Sequence, residues 1–303
     1  MSRYRDVVGF GILVCVWGFG FAAAEIGFST FPPLLLMAFR YDIGAVLLFG
    51  YVVVAVDDWW PSTRGDYLAV LSGGVLMMVV GNGVWFVGQR LTTSVFSGMM
   101  ASLIPVTTAA FSWVVLPDDR LTPLSLIGLG VSFVGASIIT LSGNGLTFGA
   151  SLLGKGLLFA SVCGMALASV FIRRADASIP STAQTAWSVL LGAVLLHLLS
   201  PLVGETWGGT VTVASGLALA FLGVFSTVVV WLLYFGLLER YSAIELSMAT
   251  YLVPLVAAAV GWALFGEPVT RAMVVGFPVV VSGFVLMKRR TLRTELRRLL
   301  ASA

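Results

Sequence analysis

The chain has 303 residues, 59% of them hydrophobic and only 10% charged, with 34 glycines, 20 phenylalanines and 9 tryptophans. Soluble domains carry about a quarter charged residues, and disordered chains pair high charge with low hydrophobicity, so both classes are excluded. A membrane protein remains, and its formal charge of +3 is no sign of nucleic-acid binding, because the basic residues first have topology to explain.

Ten apolar stretches are long enough to cross a bilayer: 7–25, 33–56, 67–88, 93–116, 122–141, 150–172, 181–200, 211–235, 242–265 and 269–288. Backbone groups in hydrocarbon need partners within their own segment, and period-two alternation is absent, so the stretches read as helices. The expected fold is an all-α membrane protein with ten transmembrane helices. Arg3, Arg5 and FAAAE (21–25) resemble a secretory signal, but cleavage would leave one half short of a helix, so the first crossing is expected to be retained. The links are turn-rich, as in VDDWWPSTRGDY (56–67) and LPDDRLTP (116–123). Trp59 and Trp60 fit an interfacial anchor, apolar ring in lipid and N–H near water.

With the N-terminus in the cytoplasm, an even number of crossings returns the C-terminus to the same side. Thirteen Lys or Arg residues then face the cytoplasm, against Arg90, Lys155 and Arg271 near the other face. That bias sets the expected orientation in a cell membrane. The tail 289–303 is basic, with Leu292, Leu296 and Leu299 at helical spacing. It is expected to be a cytoplasmic charge anchor or a short helix on the anionic leaflet, with membrane lipids as partners.

The two halves are similar. Phe86 and Phe235, Met99 and Met248, Leu103 and Leu252, Pro105 and Pro254, and Trp113 and Trp262 all keep an offset of 149, as do Gly74 and Gly223. After a one-residue gap Asp119 meets Glu267, Thr122 meets Thr270, Gly128 meets Gly276 and Gly135 meets Gly283. Five crossings per half force the second copy to enter from the opposite side, giving two inverted five-helix repeats. Such a pair can exchange inward-open and outward-open forms by swapping two similar half structures.

These residues, with VWGFGFAAAE (16–25), PLLLMAFR (33–40), and the pattern of Pro105, Trp113 and LPDDRLT (116–122) with its copy, resemble the drug/metabolite transporter superfamily, specifically a protein with two EamA-type domains. The resemblance covers 7–141 and 150–288. It implies helices around a polar cavity, a small-molecule substrate, and export or exchange of metabolites such as amino acids or related amphipathic compounds.

Few side chains in the crossings carry chemistry. Arg40 lies about seven residues into the second stretch, where a charge costs roughly 2.5–3.5 kcal/mol. An interhelical ion pair, recognition of an anionic substrate, and snorkelling to the headgroups all remain open for it. Glu25 closes the first stretch and Glu245 opens the ninth; each is either a boundary residue or a site for a proton or cation. On the expected topology they lie at opposite faces. Asn82 and Gln184 offer neutral donors and acceptors, and Trp17 and Phe21 could line an aromatic wall. Pro105 and Pro254 each remove a backbone donor and bend a helix, as a hinge or a fixed kink. His197 is expected to make an interfacial polar contact.

Cys15 and Cys163 lack the spacing of a disulfide framework or metal site. GASLLGKG (149–156) misses a nucleotide-binding loop, since Gly156 stands where a Ser or Thr is required. No zinc spacing or nucleophile elbow stands out. The expectation is therefore not an enzyme but a secondary transporter without cofactor or metal, working by alternating access as an exporter. An uncoupled facilitator or importer, and a scaffold or channel, are the alternatives. Small-residue faces leave a homodimer open.

Overall fold

The computed structural model describes residues 2–116, 122–140, 150–238 and 251–301. Among them there is no strand. Seven helices are long and apolar enough to cross a membrane, and three shorter apolar helices accompany them. In chain order we label them α1 (Ser2–Gly27), α2 (Pro33–Ala55), α3 (Arg64–Arg90), α4 (Ser94–Val115), α5 (Pro123–Thr140), α6 (Ala150–Ala175), α7 (Ser181–Leu202), α8 (213–238), α9 (Val253–Phe265) and α10 (Arg271–Ala301). Val54, Val114 and Val213 lie bare on the outer surface, as side chains facing lipid do. The protein is a multi-pass membrane protein.

The helices pair in a way that survives exchange of the halves. α1 packs against α8 and α9, as α6 packs against α3 and α4. α2 lies against α8 as α7 lies against α3, while α2–α7, α4–α9 and α5–α10 join like to like. In the last pair the matched glycines meet crosswise. A Cβ on Gly128 would sit 2.5 Å from the Gly283 carbonyl oxygen, and one on Gly135 would sit 2.8 Å from that of Gly276. This reversed order makes α5 and α10 antiparallel, with backbones closer than any side chain allows. Close approach of this kind replaces the hydrophobic drive that lipid cannot supply.

Two helices widen at corresponding places. Ser72–Gly83 in α3 and Phe221–Val229 in α8 are π-helical, and the offset of 149 lays the second stretch over the first. The Val84 N–H bonds to the Val79 carbonyl, and the Val230 N–H to that of Phe225, five residues back in each case. Each wide turn also takes a side-chain donor: Asn82 Nδ2 to the Met77 carbonyl at 2.8 Å, Thr227 Oγ1 to the Leu222 carbonyl at 3.0 Å.

Pro105 and Pro254 stand in the first turn of a helical segment rather than in its middle. Residues Ala101–Leu103 form a 3₁₀ turn just before Pro105, so α4 breaks there and restarts where the missing N–H costs nothing. The expected stretch 242–265 is met by α9 from Val253 onward, its first part lying outside the described residues. In the tail the structure differs from one of the two alternatives, the separate short helix. The backbone there continues α10 without interruption to Ala301. Between Lys288 and Ala301 there is no Gly or Pro to stop it, and Leu, Arg and Glu are good helix formers.

Candidate functional site

Arg40 sits at the crossing of α2 and α8, and the glycines around it explain how it gets there. Gly44, one turn along, would place a Cβ 2.6 Å from Thr227 Cγ2, and Gly223 would place one 2.7 Å from Ile43. Without Cβ atoms the two helices close, and the guanidinium reaches the wide turn of α8. Its Nε donates to Thr227 Oγ1 at 2.9 Å and its Nη2 to the Ser226 carbonyl at 3.0 Å. Thr227 Oγ1 can accept because its own proton goes to Leu222.

The remaining neighbours of Arg40 are the Met37 sulfur at 3.8 Å and the rings of Tyr41 and Phe86 at 5.7 and 5.8 Å. No carboxylate among the described residues pairs with it. Arg40 is only 9% exposed, and among the described residues it forms no ion pair. Asp42 points away, to His197 Nε2 at 2.7 Å, and that is the polar contact anticipated for the histidine. A buried cation held by neutral acceptors retains an unbalanced charge, which costs far more than an unpaired polar group.

A second polar group occupies the end of the bundle opposite the N-terminus. Gln89 of α3 is wholly buried and donates from Nε2 to the Phe21 carbonyl of α1 at 2.8 Å. Glu25, one turn beyond Phe21, stands beside the Gln89 amide and within electrostatic range of Glu267 and Arg90. Phe21 and Trp85 pair at 6.2 Å. Four buried polar atoms here lack a partner: Glu25 Oε2, Gln89 Oε1, Trp85 Nε1 and Ser97 Oγ. Each such group costs about 1–3 kcal/mol, so finding four of them on α1, α3 and α4 is a departure from the usual pairing of buried polar atoms.

That same end is tied shut by carboxylates on helix starts. Glu267, in the turn after α9, accepts from Ser94 N, Ser94 Oγ and Val95 N at 3.1, 2.9 and 2.7 Å. Glu205, after α7, accepts from Leu34 N and Leu35 N at 3.0 and 3.1 Å and from Ser200 Oγ at 2.8 Å. Helix starts present free N–H groups and a positive dipole end, so a carboxylate from a neighbouring helix is a natural clamp. Arg90 adds a bond to the Phe28 carbonyl. On the N-terminal side Asp66 does the equivalent work, bonding Thr63 N, Ser178 N and Ile179 N at 2.8, 2.7 and 3.0 Å.

The other expected site residues fall elsewhere. Trp17 joins an apolar cluster with Leu13, Leu237 and Tyr234, and Gln184 sits at the α3–α7 contact beside Gly73. Asn82 uses one amide N–H on the Met77 carbonyl of its own helix. Glu245 lies outside the described residues. Sequence reasoning missed the clamps of Glu205 and Glu267. The repeat match of Glu267 with Asp119 was the signal available for the second.

A model of the EamA-like transporter family matches residues 7–141 and 152–289. The chain belongs to that family. This EamA-like protein is a transporter rather than an enzyme, with a small-molecule substrate and a membrane environment. It is 24% identical over 300 residues to an uncharacterised transporter of Bacillus subtilis, YvbV, covering 96% of this chain and 94% of that one. It is 25% identical over 292 residues to an uncharacterised inner membrane transporter of Escherichia coli, YedA, covering 94% and 92%. A Salmonella typhimurium protein named "Probable amino-acid metabolite efflux pump" is 24% identical, covering 94% and 96%. One solved crystal structure shares the fold with a TM-score of 0.68 at 19% identity, covering 96% of this chain and 99% of that one.

Proposed function

We propose that this EamA-like protein is a secondary transporter exporting small amphipathic metabolites that carry a carboxylate, amino acids or related compounds among them, by alternating access. The observation that carries the reading is Arg40: a buried guanidinium whose partners among the described residues are all neutral, next to an aromatic ring and a wide helical turn. An anionic group on the substrate supplies the missing counter-charge, bound bidentately in competition with Ser226 and Thr227. Wide turns of this type recur at functional sites. Phe86, whose ring lies 5.8 Å from the Arg40 guanidinium, and the Phe21–Trp85 pair supply apolar contacts for the rest of the substrate in this reading. Asn82, Gln184 and Trp17 serve packing in this reading.

The same proposal takes the fold as ten crossings in two inverted repeats, 7–141 and 150–288, with both termini and the basic tail 289–303 in the cytoplasm. Support comes from the pairing pattern that survives exchange of the halves, the antiparallel α5–α10 contact and the charge bias of the links. The clamps of Glu205 and Glu267 then close the outer face, and Asp66 belongs to the inner one. Opening requires release of a clamp, with Pro105 and Pro254, each in the first turn of a helical segment, as the points where the helices flex. Glu25, beside the outer clamp, is the group that takes up a proton or cation. Export rests on the family resemblance and on the name of the Salmonella relative, a probable amino-acid metabolite efflux pump.

The test is flux into proteoliposomes for a panel of amino acids and their decarboxylated amines. Arg40→Gln should lower saturable flux of the acids by more than tenfold and leave the amines unchanged, with Arg40→Lys intermediate. A folded Arg40→Gln protein that moves every substrate like the parent overturns the reading.

A further inference from the structure

Away from Arg40, on the N-terminal side of the bundle, the α2–α3 link meets the α6–α7 link around a cavity of about 640 Å³. Asp58, Trp59, Trp60, Ser62, Ser178 and Ile179 line it. Ser62, Ser178 and Ile179 bond to the Asp66 clamp through their backbone N–H groups, whereas Asp58, Trp59 and Trp60 have no part in the transport reading.

The cavity is built, not incidental. Asp66, with no exposed surface, holds both links at once through Ser62 N, Thr63 N, Ser178 N and Ile179 N. Trp187 Nε1 donates to the Trp59 carbonyl at 3.0 Å, fixing the loop from the α7 side. The rings then set one another: Trp59 stacks on Trp187 at 6.2 Å, and Trp60 meets Trp187 edge to face at 4.8 Å. Trp60 is nevertheless 60% exposed, so much of its indole surface is free. Asp58 is held at φ 50°, a left-handed conformation that a non-glycine residue adopts at a cost and that is over-represented at ligand sites.

The lining has one charged group, the Asp58 carboxylate, and no basic residue. Indole faces carry negative quadrupole charge and attract cations, with quaternary ammonium groups the usual guests. Carboxylate and indoles therefore ask for the same thing. We infer that this cavity is a binding site for an organic ammonium group, carried by a lipid headgroup or by a free amine, held between the Asp58 carboxylate and the Trp59 and Trp60 rings.

The test is equilibrium dialysis of the full chain in maltoside detergent with choline and with its uncharged carbon isostere. Choline should bind at least tenfold more tightly than the isostere. Asp58→Asn should weaken choline about fivefold or more; Asn tolerates the left-handed conformation, so this variant removes the charge and keeps the loop. Trp60→Ala should weaken it about tenfold, and Trp60→Phe should restore most of the affinity. Repeating the titration in nanodiscs separates the two sources. Choline excluded by phosphatidylethanolamine but not by phosphatidylglycerol identifies a lipid headgroup, and equal binding in both identifies a free amine. Equal affinity for choline and the isostere, or binding that neither Asp58→Asn nor Trp60→Ala moves, overturns the inference. So does the absence of choline binding in detergent and in phosphatidylglycerol discs. Should Trp60→Ala fail to fold, Asp58→Asn decides alone. No step reads transport, so the outcome is separate from that for Arg40.

Discussion

The Glu267 carboxylate accepts hydrogen bonds from both the amide and the hydroxyl of Ser94, at 3.1 and 2.9 Å, so the turn after α9 is fastened to the start of α4. Thr93 caps the same helix start from within, accepting from Phe96 N at 3.1 Å. The external clamp is therefore not needed to form α4; what it supplies is the attachment between two helices.

Glu267→Ala should lower stability by about 1–3 kcal/mol, the range for removing a charged hydrogen-bond partner, and should loosen the end of the bundle opposite the N-terminus. Thermal unfolding of the purified protein measures the first effect. Reactivity of a cysteine placed at Phe28 measures the second, and it should rise in the Glu267→Ala background.

Asp66 serves more bonds than its repeat counterpart. Thr63 with Asp66 and Thr212 with Ser215 form capping boxes at positions 149 apart, yet only Asp66 also reaches a second link, through Ser178 and Ile179. Asp66→Ala should cost about 2–4 kcal/mol and Ser215→Ala about 1 kcal/mol, compared by denaturation under one condition. Equal losses would mean that the cross-link contributes nothing.

The α5–α10 contact gives a sharper contrast. Gly128→Ala sets a Cβ 2.5 Å from the Gly283 carbonyl oxygen and 2.6 Å from Met287 N, both backbone atoms that cannot yield, whereas Gly130 has nothing within 4 Å. Gly128→Ala should destabilise by about 1–3 kcal/mol. Gly130→Ala should be neutral or slightly stabilising, since Ala is the better helix former. Melting temperatures of the two single variants check the difference.

Much of this fold could be read in advance. Hydropathy marks where chains cross, and the Pro105/Pro254, Trp113/Trp262 and glycine matches exposed the doubling, because these residue types are tied to backbone geometry rather than to apolarity. What stayed hidden depends on partners distant in the chain. Arg40 finds its acceptors 186 and 187 positions away, one a carbonyl in a wide turn that no periodicity announces. Glu205 and Glu267 looked like ordinary loop acids, as their role is defined by the helix starts they reach. The bond from Asn82 to a carbonyl five residues back and the Trp17–Tyr234 ring contact were likewise not legible from spacing alone.

The most direct measurement places a single cysteine at Phe21, half-buried between the Glu25 group and the bundle centre, in a chain with Cys15 and Cys163 replaced. Membrane-impermeant thiol reagents are then applied from each side of oriented proteoliposomes, with and without substrate. Alternating access predicts labelling that shifts from one side to the other as substrate or its gradient is changed, never both at full rate in one state. Simultaneous labelling from both sides would make the protein a channel, and labelling from neither under any condition would leave it without a passage.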